Sequence, residues 1–168
     1  MFRLRDVCLS LFLVLTTGVS MAGALKTPTD SIILRLDGSV TAVNVESATV
    51  FDLPMLKALG SETFSVKTEW TEGTPTFTGV PLKALMDNVG ASGSEIIATA
   101  AYGYAISLPV ADVDRYNVLL VYAIDGTELD HTDKGPLWIM YRWDQMTAQE
   151  IEDKSPNAVW QLQQLTFE

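Results

Sequence analysis

Aromatic side chains lie next to charged residues and glycine in four short segments of the chain. These segments are Thr68-Glu69-Trp70, Ala101-Tyr102-Gly103-Tyr104, Lys134-Gly135-Pro136-Leu137 and Tyr141-Arg142-Trp143-Asp144. A planar heteroaromatic ligand needs this mixture: a ring for stacking, a carboxylate that accepts two N–H bonds from an amidine-like edge, and Lys or Arg for an anionic tail. The residue types therefore predict a site for a flat, nitrogen-rich molecule.

The four tryptophans divide into two pairs by their sequence surroundings. Trp138 and Trp160 lie inside apolar runs, which favours core positions. Trp70 and Trp143 are flanked by charged and loop residues, which favours a surface or pocket role.

Each of the four segments lies at the end of a predicted strand or in the loop beside it, where binding residues concentrate. Apolar runs and alternation predict strands over 32–36, 63–70, 95–101, 104–108, 118–124, 137–141 and 159–167. Helices are predicted over 53–59, with Asp52 as N-cap, and over 81–90, with Gly90 as C-terminal cap. A β-bulge near Gln163-Gln164 would place Trp160, Leu162, Leu165 and Phe167 on one face of the last strand. The pattern predicts a single α+β domain that is mostly β.

Composition excludes several classes of function. The 168 residues carry a formal net charge of −10, with 11 Lys plus Arg against 21 Asp plus Glu, so binding to a nucleic-acid backbone is not expected. One cysteine cannot form an intrachain disulfide, and one histidine cannot supply a multi-histidine metal site.

Residues 1–24 have the pattern of a secretory signal peptide. Arg3 and Arg5 precede an uncharged, mostly apolar stretch over 7–19, and Ala22 and Ala24 form a small-x-small cleavage motif. An uncleaved anchor is the alternative, but thirteen helical residues span only ~20 Å of a ~30 Å hydrocarbon core. We therefore expect a periplasmic domain over 25–168 that keeps no stable membrane insertion after cleavage and has lost Cys8, its only thiol.

Several short motifs in order resemble one known family. The motifs are Phe77-Thr78-Gly79-Val80-Pro81-Leu82, Ala101-Tyr102-Gly103-Tyr104, Leu108-Pro109 with Asp112, Asp125-Gly126, Lys134-Gly135-Pro136-Leu137, Tyr141 with Asp144, and Trp160-Gln161-Leu162. Their order and spacing, from about Phe51 to the C-terminus, resemble the oxidoreductase molybdopterin-binding domain of sulfite-oxidase-like fold. The resemblance implies a mostly β, α+β fold and a pterin or molybdopterin-like ligand held among these loops.

The sequence departs from this family at the metal ligand. Family enzymes bind molybdenum through a cysteine thiolate on the strand before the Gly-Val-Pro-Leu motif, and the corresponding segment 64–70 has no cysteine. A threonine hydroxyl or valine methyl cannot replace this soft ligand, so no metal is expected. The resemblance and the missing thiolate predict a non-catalytic periplasmic pterin-binding protein, which could report its ligand to the outer domain of a membrane sensor that controls cyclic-di-GMP turnover. A small molybdopterin-dependent oxidoreductase without the cysteine ligand, and an interaction module with a degenerate pocket, remain as alternatives.

The pterin hypothesis assigns a role to the residues of the four segments. Stacking is assigned to Trp70, Tyr104 or Trp143, and binding of the pterin edge to Asp144 or Glu69. The remaining candidates for ligand binding are Arg142 and Lys134 for a side chain or phosphate, Gly103 and Gly135 for close backbone approach, and Thr68 and Tyr141 within the same segments.

Overall fold

Two twisted sheets and four short helices make up the computed structural model, which describes residues 25–168. The strands are β1 (Leu34–Gly38), β2 (Thr49–Phe51), β3 (Glu62–Ser65), β4 (Thr76–Pro81), β5 (Glu95–Ala100), β6 (Ala105–Pro109), β7 (Leu119–Ile124), β8 (Thr127–Glu128), β9 (Trp138–Met140) and β10 (Leu162–Phe167). The helices are α1 (Leu53–Lys57), α2 (Leu82–Val89), α3 (Val110–Arg115) and α4 (Ala148–Lys154). The predicted signal peptide at 1–24 lies outside the described residues.

The first sheet has the strand order β2-β1-β10-β5-β6, and the second has the order β3-β4-β7-β8 with β9 also paired to β7. Strands β1 and β10 are parallel, and the other pairs are antiparallel. Both sheets and α2 contribute to one hydrophobic core, which contains Leu36 and Leu165 from the first sheet and Phe77 and Leu120 from the second. The predicted fold class, α+β and mostly β, is confirmed.

The two predicted helices, α1 and α2, are present. The residues that begin or end each of them lie within or next to the helix in the sequence. The Asp52 carboxylate accepts the Met55 N–H at the start of α1. The apolar residues Leu82, Leu85, Met86 and Val89 of α2 are buried, and Gly90 ends the helix with φ of 61°. None of the helices within 25–168 has the length and apolar character that crossing a bilayer requires.

Helices α3 and α4 were not predicted from the sequence. Helix α4 has a clear local signal, since Thr147 and Glu150 form a capping box around its first turn. Helix α3 has six residues and no side-chain cap. The prediction of only two helices was therefore wrong.

Two predicted strands are shorter than the apolar patterns suggested. The strand predicted over 63–70 ends at Ser65, and residues 69–73 form turns and bends that carry Trp70 away from the sheet. The last strand begins at Leu162, and its register against β5 shifts between Leu162 and Gln164, which confirms the predicted bulge. Leu162, Leu165 and Phe167 are buried as expected, whereas Trp160 precedes the strand and is 39% exposed.

Candidate functional site

The four tryptophans, which come from distant parts of the chain, form one cluster. Trp70, in the loop between β3 and β4, lies with its ring centroid 5.8 Å from Trp138, 5.1 Å from Trp143 and 5.9 Å from Trp160. Trp138 and Trp160 are 5.9 Å apart and close to perpendicular. Such tilted and edge-to-face pairs stabilise the cluster beyond the area that they bury. Trp70 therefore links buried rings to an exposed one.

A cavity of about 360 Å³ lies beside this cluster, at the end of the first sheet where β5 ends and β10 begins. Its lining residues are Trp70, Ala100, Ala101, Tyr104, Ser155, Pro156, Ala158, Val159, Trp160 and Gln161. Ligand pockets in proteins measure about 300–1,000 Å³ and combine apolar walls with a few polar groups. The cavity is thus large enough for a bicyclic ring and has aromatic surfaces against which such a ring could stack.

Two of the predicted site residues, Trp70 and Tyr104, line this cavity together. Tyr104 is 58% exposed, so its ring stands at the mouth. Gly103 precedes it with φ of 78° and open space around its Cα, and this left-handed turn orients Tyr104.

The structure reverses the sequence-based assignment of two tryptophans. Trp143 was predicted at the surface or in a pocket, but it is 4% exposed and packs in the core. Trp160 was predicted in the core, but it is partly exposed and lines the cavity. The signal that could have found Trp160 is the Ser155-Pro156-Asn157 turn just before it, which delays the start of β10.

The Arg142 guanidinium contacts three neighbouring side chains and does not line the cavity. It forms two hydrogen bonds with the Asp144 carboxylate, of 2.9 and 2.8 Å, and a third of 3.3 Å with Glu62. It also lies 5.2 Å from the centre of the Phe64 ring. Hydrogen bonding from Arg142 lowers the pKa of Asp144, which is therefore a carboxylate already paired. Neither residue lines the cavity, although the pterin hypothesis assigned Asp144 to the pterin edge and Arg142 to a ligand side chain or phosphate.

Several other predicted site residues have structural partners instead. Thr68 is buried, and its hydroxyl pairs with that of Thr71. Lys134 is ion-paired with Asp133 at 3.0 Å. Gly135 lacks a side chain because any Cβ there would collide with the Leu129 carbonyl. The predicted site residues that do not line the cavity are Thr68, Glu69, Gly103, Lys134, Gly135, Tyr141, Arg142, Trp143 and Asp144.

Tyr141 belongs to a buried polar network below the cavity wall. Its hydroxyl donates to Asp112 Oδ2 at 3.0 Å and accepts from Asn157 Nδ2 at 3.3 Å. Lys154 Nζ donates to the same Asp112 oxygen at 2.7 Å. Burial raises the pKa of Tyr141 well above its ordinary value, so the phenol is a neutral hydrogen-bond donor here.

The family's thiolate ligand for molybdenum has no counterpart among the described residues. Within 25–168, no group of three or more His, Cys, Asp or Glu is arranged to hold a metal ion, and the single cysteine, Cys8, lies outside this range. A thiolate ligand of the kind molybdenum prefers is thus missing from the described domain. Two buried donors, Trp138 Nε1 and Trp143 Nε1, have no hydrogen-bond partner among these residues. The donor set gives no support for metal ligation.

Comparison with known proteins gives a family match and a structural match. The family described as oxidoreductase molybdopterin binding domain matches residues 42–143. Among solved structures, the sulfane dehydrogenase SoxCD from Paracoccus pantotrophus matches with a TM-score of 0.55 and 18% identity, over 79% of this chain and 37% of that chain. A search of curated protein sequences found no match. At this identity the structural match shows the sulfite-oxidase-like fold, and the chain spans little more than a third of SoxCD's matched chain.

The family match and the cavity overlap only in part. Trp70, Ala100, Ala101 and Tyr104 lie within the matched stretch, whereas the wall from Ser155 to Gln161 follows it. One side of the cavity is therefore built by residues that the family match does not include.

Proposed function

Because the chain belongs to the oxidoreductase molybdopterin-binding domain family, we propose that it binds a pterin in the cavity at the end of the first sheet and catalyses no reaction there. The observation that carries this proposal is the cavity of about 360 Å³ with Trp70, Tyr104 and Trp160 on its walls. Aromatic walls bind a flat heteroaromatic ring by stacking. The Ser155 hydroxyl and the Gln161 side-chain oxygen offer hydrogen bonds to its edge, whereas the Gln161 side-chain nitrogen already donates to Asp133 O at 2.8 Å.

The charges around the cavity favour a pterin with an uncharged tail. No lysine or arginine is among the lining residues. The nearby cations are committed elsewhere, since Lys134 pairs with Asp133, Lys154 with Asp112 and Arg142 with Asp144. A phosphate monoester carries about −1.5 to −2 charges at pH 7 and would enter a cavity whose lining residues include no lysine or arginine, in an acidic protein. The ligand class is therefore a pterin that carries hydroxyls rather than phosphate.

Phosphorylation of the ligand tests this charge argument. We expect 6-hydroxymethylpterin to bind and its phosphate ester to bind at least about tenfold more weakly, which corresponds to about 1.4 kcal/mol. Isothermal titration calorimetry of the chain from residue 25, at low and at moderate salt, measures both affinities. Equal or tighter binding of the ester would show that a cation reaches the ligand and would refute the uncharged-tail assignment.

We further propose that the domain acts in the periplasm and reports its bound pterin to the outer domain of a membrane sensor, such as one that controls cyclic-di-GMP turnover. The signal-peptide pattern of residues 1–24 and the absence of a thiolate ligand from the described domain support this role. The fully exposed Tyr102 ring, next to the cavity residues Ala101 and Tyr104, adds an aromatic surface of the kind that partners contact.

Purification from the native host tests location and cofactor in one preparation. We expect the periplasmic fraction to contain a chain that begins at Leu25, and denaturation to release a fluorescent pterin without molybdenum. N-terminal sequencing, metal analysis and mass spectrometry of the released compound provide the readouts. Stoichiometric molybdenum would favour a catalytic oxidoreductase instead, and an intact Met1 in the membrane fraction would contradict cleavage.

A further inference from the structure

The wall from Ser155 to Gln161 comes directly after α4 in the chain. This helix packs only weakly against the rest of the domain. Helix α4 has no buried residue, although Ile151 packs partly against the core. Its cap is made within its own first turn by Thr147 and Glu150. The ion pair from Glu150 to Arg115 is long, at 3.4 Å, and solvent-exposed, so it contributes little. Within the wall, Ala158 and Val159 are buried in the core, but Ser155 and Pro156 before them need an anchor other than α4 itself.

The buried network around Asp112 supplies such an anchor on both sides of the Ser155-Pro156 pair. Asp112, on α3, is 5% exposed and accepts from Lys154 Nζ at 2.7 Å and from the Tyr141 hydroxyl at 3.0 Å. Asn157 donates to the same Tyr141 hydroxyl at 3.3 Å. Lys154 and Asn157 thus tie the chain to two buried side chains immediately before and after Ser155-Pro156.

The geometry points to Lys154 and Asn157 as positioning residues that fix the cavity wall, so that pterin affinity depends on an anchor that does not touch the ligand. This inference rests on the proposed function. None of the four anchor residues lines the cavity, whereas Ser155, Pro156 and the stretch from Ala158 to Gln161 all do.

The physical reason is that a buried carboxylate holds its cation strongly. In the described part of the chain, Lys154 is the cation paired with Asp112, and the Tyr116 ring lies 5.5 Å from its Nζ. Removing the lysine leaves the buried Asp112 carboxylate without its counter-charge, with the neutral Tyr141 hydroxyl still donating a hydrogen bond to it. The wall residues then have to be ordered by the ligand. Binding becomes weaker without the loss of any ligand contact.

Hydrogen exchange together with calorimetry tests this role in the chain from residue 25. For Lys154→Met we expect about a tenfold loss of 6-hydroxymethylpterin affinity. We also expect faster exchange at the Ala158 and Gln161 amides, which donate to Ser155 O and Lys134 O. Amides of β5 should keep their protection. Lys154→Arg should restore both readouts, since it keeps a cation near Asp112. Lys83→Met, which removes an exposed ion pair with Asp87 on α2, is the matched control and should change neither.

A second variant keeps the test decisive if Lys154→Met fails to fold. Asn157→Ala leaves the Asp112–Lys154 pair intact, and we expect about a threefold loss of affinity with the same local change in exchange. Unchanged exchange at Ala158 and Gln161 in these variants would overturn the anchor, and faster exchange with unchanged pterin affinity would overturn its effect on binding. If the unmodified chain binds no pterin while the variants still loosen these amides, the proposed function fails and the anchor stands.

Discussion

Replacing Trp160 by alanine is expected to weaken binding of 6-hydroxymethylpterin by about 2 kcal/mol, because stacking of a flat nitrogen-rich ring on an aromatic side chain is worth about 1–3 kcal/mol. This free energy corresponds to roughly a thirtyfold loss of affinity, which calorimetric titration resolves easily. Trp160 lines the cavity and is 39% exposed, but its ring also packs against Trp70 and Trp138, so the variant must be shown to be folded before the titration. Trp70 is a poorer choice, since it also contacts Trp138 and Trp143, and its loss would lower the free energy of unfolding.

Two further variants serve as controls that should bind the pterin normally. Tyr102→Ala removes a fully exposed ring that does not line the cavity, and we expect unchanged affinity. Arg142→Ala should also bind normally while becoming less stable, because its guanidinium holds Asp144 and Glu62 rather than the ligand. Normal binding by Trp160→Ala would exclude this cavity as the site. A loss in Arg142→Ala as large as that expected for Trp160→Ala would move the site to the loop after β9.

The parts of the fold that the sequence predicts well are those whose signals lie within a few residues. Helix α2 follows from its apolar spacing and Gly90, and α1 follows from Asp52. The bulge in β10 follows from the spacing of Leu162 and Leu165, which would lie on opposite faces of a regular strand. One extra residue in the strand places both on the same face. In each case the decisive contact is local, or the core imposes a strict alternation that the sequence must show.

The candidate site was harder to predict because exposure and ion pairing depend on residues far apart in the chain. Trp160 has apolar neighbours typical of a core strand, but its exposure is set by where β10 begins. Arg142 has the right chemistry for an anionic ligand. Its guanidinium is nevertheless hydrogen-bonded to Asp144 and to Glu62, which lies eighty residues earlier in the chain. Trp70 lines the cavity, and the charged neighbours that favoured a surface or pocket role for it are local features of the sequence. Residue type indicates which side chains could bind a ligand, but it does not indicate which of them remain unpaired in the fold.

Replacing Asp52 by alanine is expected to lower the free energy of unfolding by about 3 kcal/mol, a large effect for a polar side chain. Asp52 is fully buried, and its carboxylate accepts three backbone N–H groups: Thr29 at 2.7 Å, Asp30 at 3.0 Å and Met55 at 2.8 Å. Alanine would leave these donors without their acceptor, release the segment before β1 and remove the cap of α1. Urea denaturation at neutral pH measures the loss.

The same carboxylate gives stability a dependence on acid pH. Burial acts to raise the pKa of Asp52, but the three backbone hydrogen bonds outweigh it, and the pKa of the folded state is lowered. The stabilisation is therefore complete above the unfolded-state pKa of about 3.9 and is lost as the pH falls through the lower folded-state value. Asp52→Asn keeps one acceptor oxygen, so it should be intermediate in stability and lack this acid-dependent loss.

Asp37→Ala is the matched control for Asp52→Ala, because Asp37 is a partly exposed carboxylate whose partner is the solvent-exposed Arg35 on the same strand. An exposed pair of this kind contributes at most about 1 kcal/mol, so the control should remain close to the unmodified chain. If Asp52→Ala were no less stable than Asp37→Ala, the three backbone N–H groups would have found other acceptors. The segment from Leu25 to Asp30 would then be held by its apolar contacts instead of by this carboxylate, and the acid dependence assigned to Asp52 would have to vanish with it.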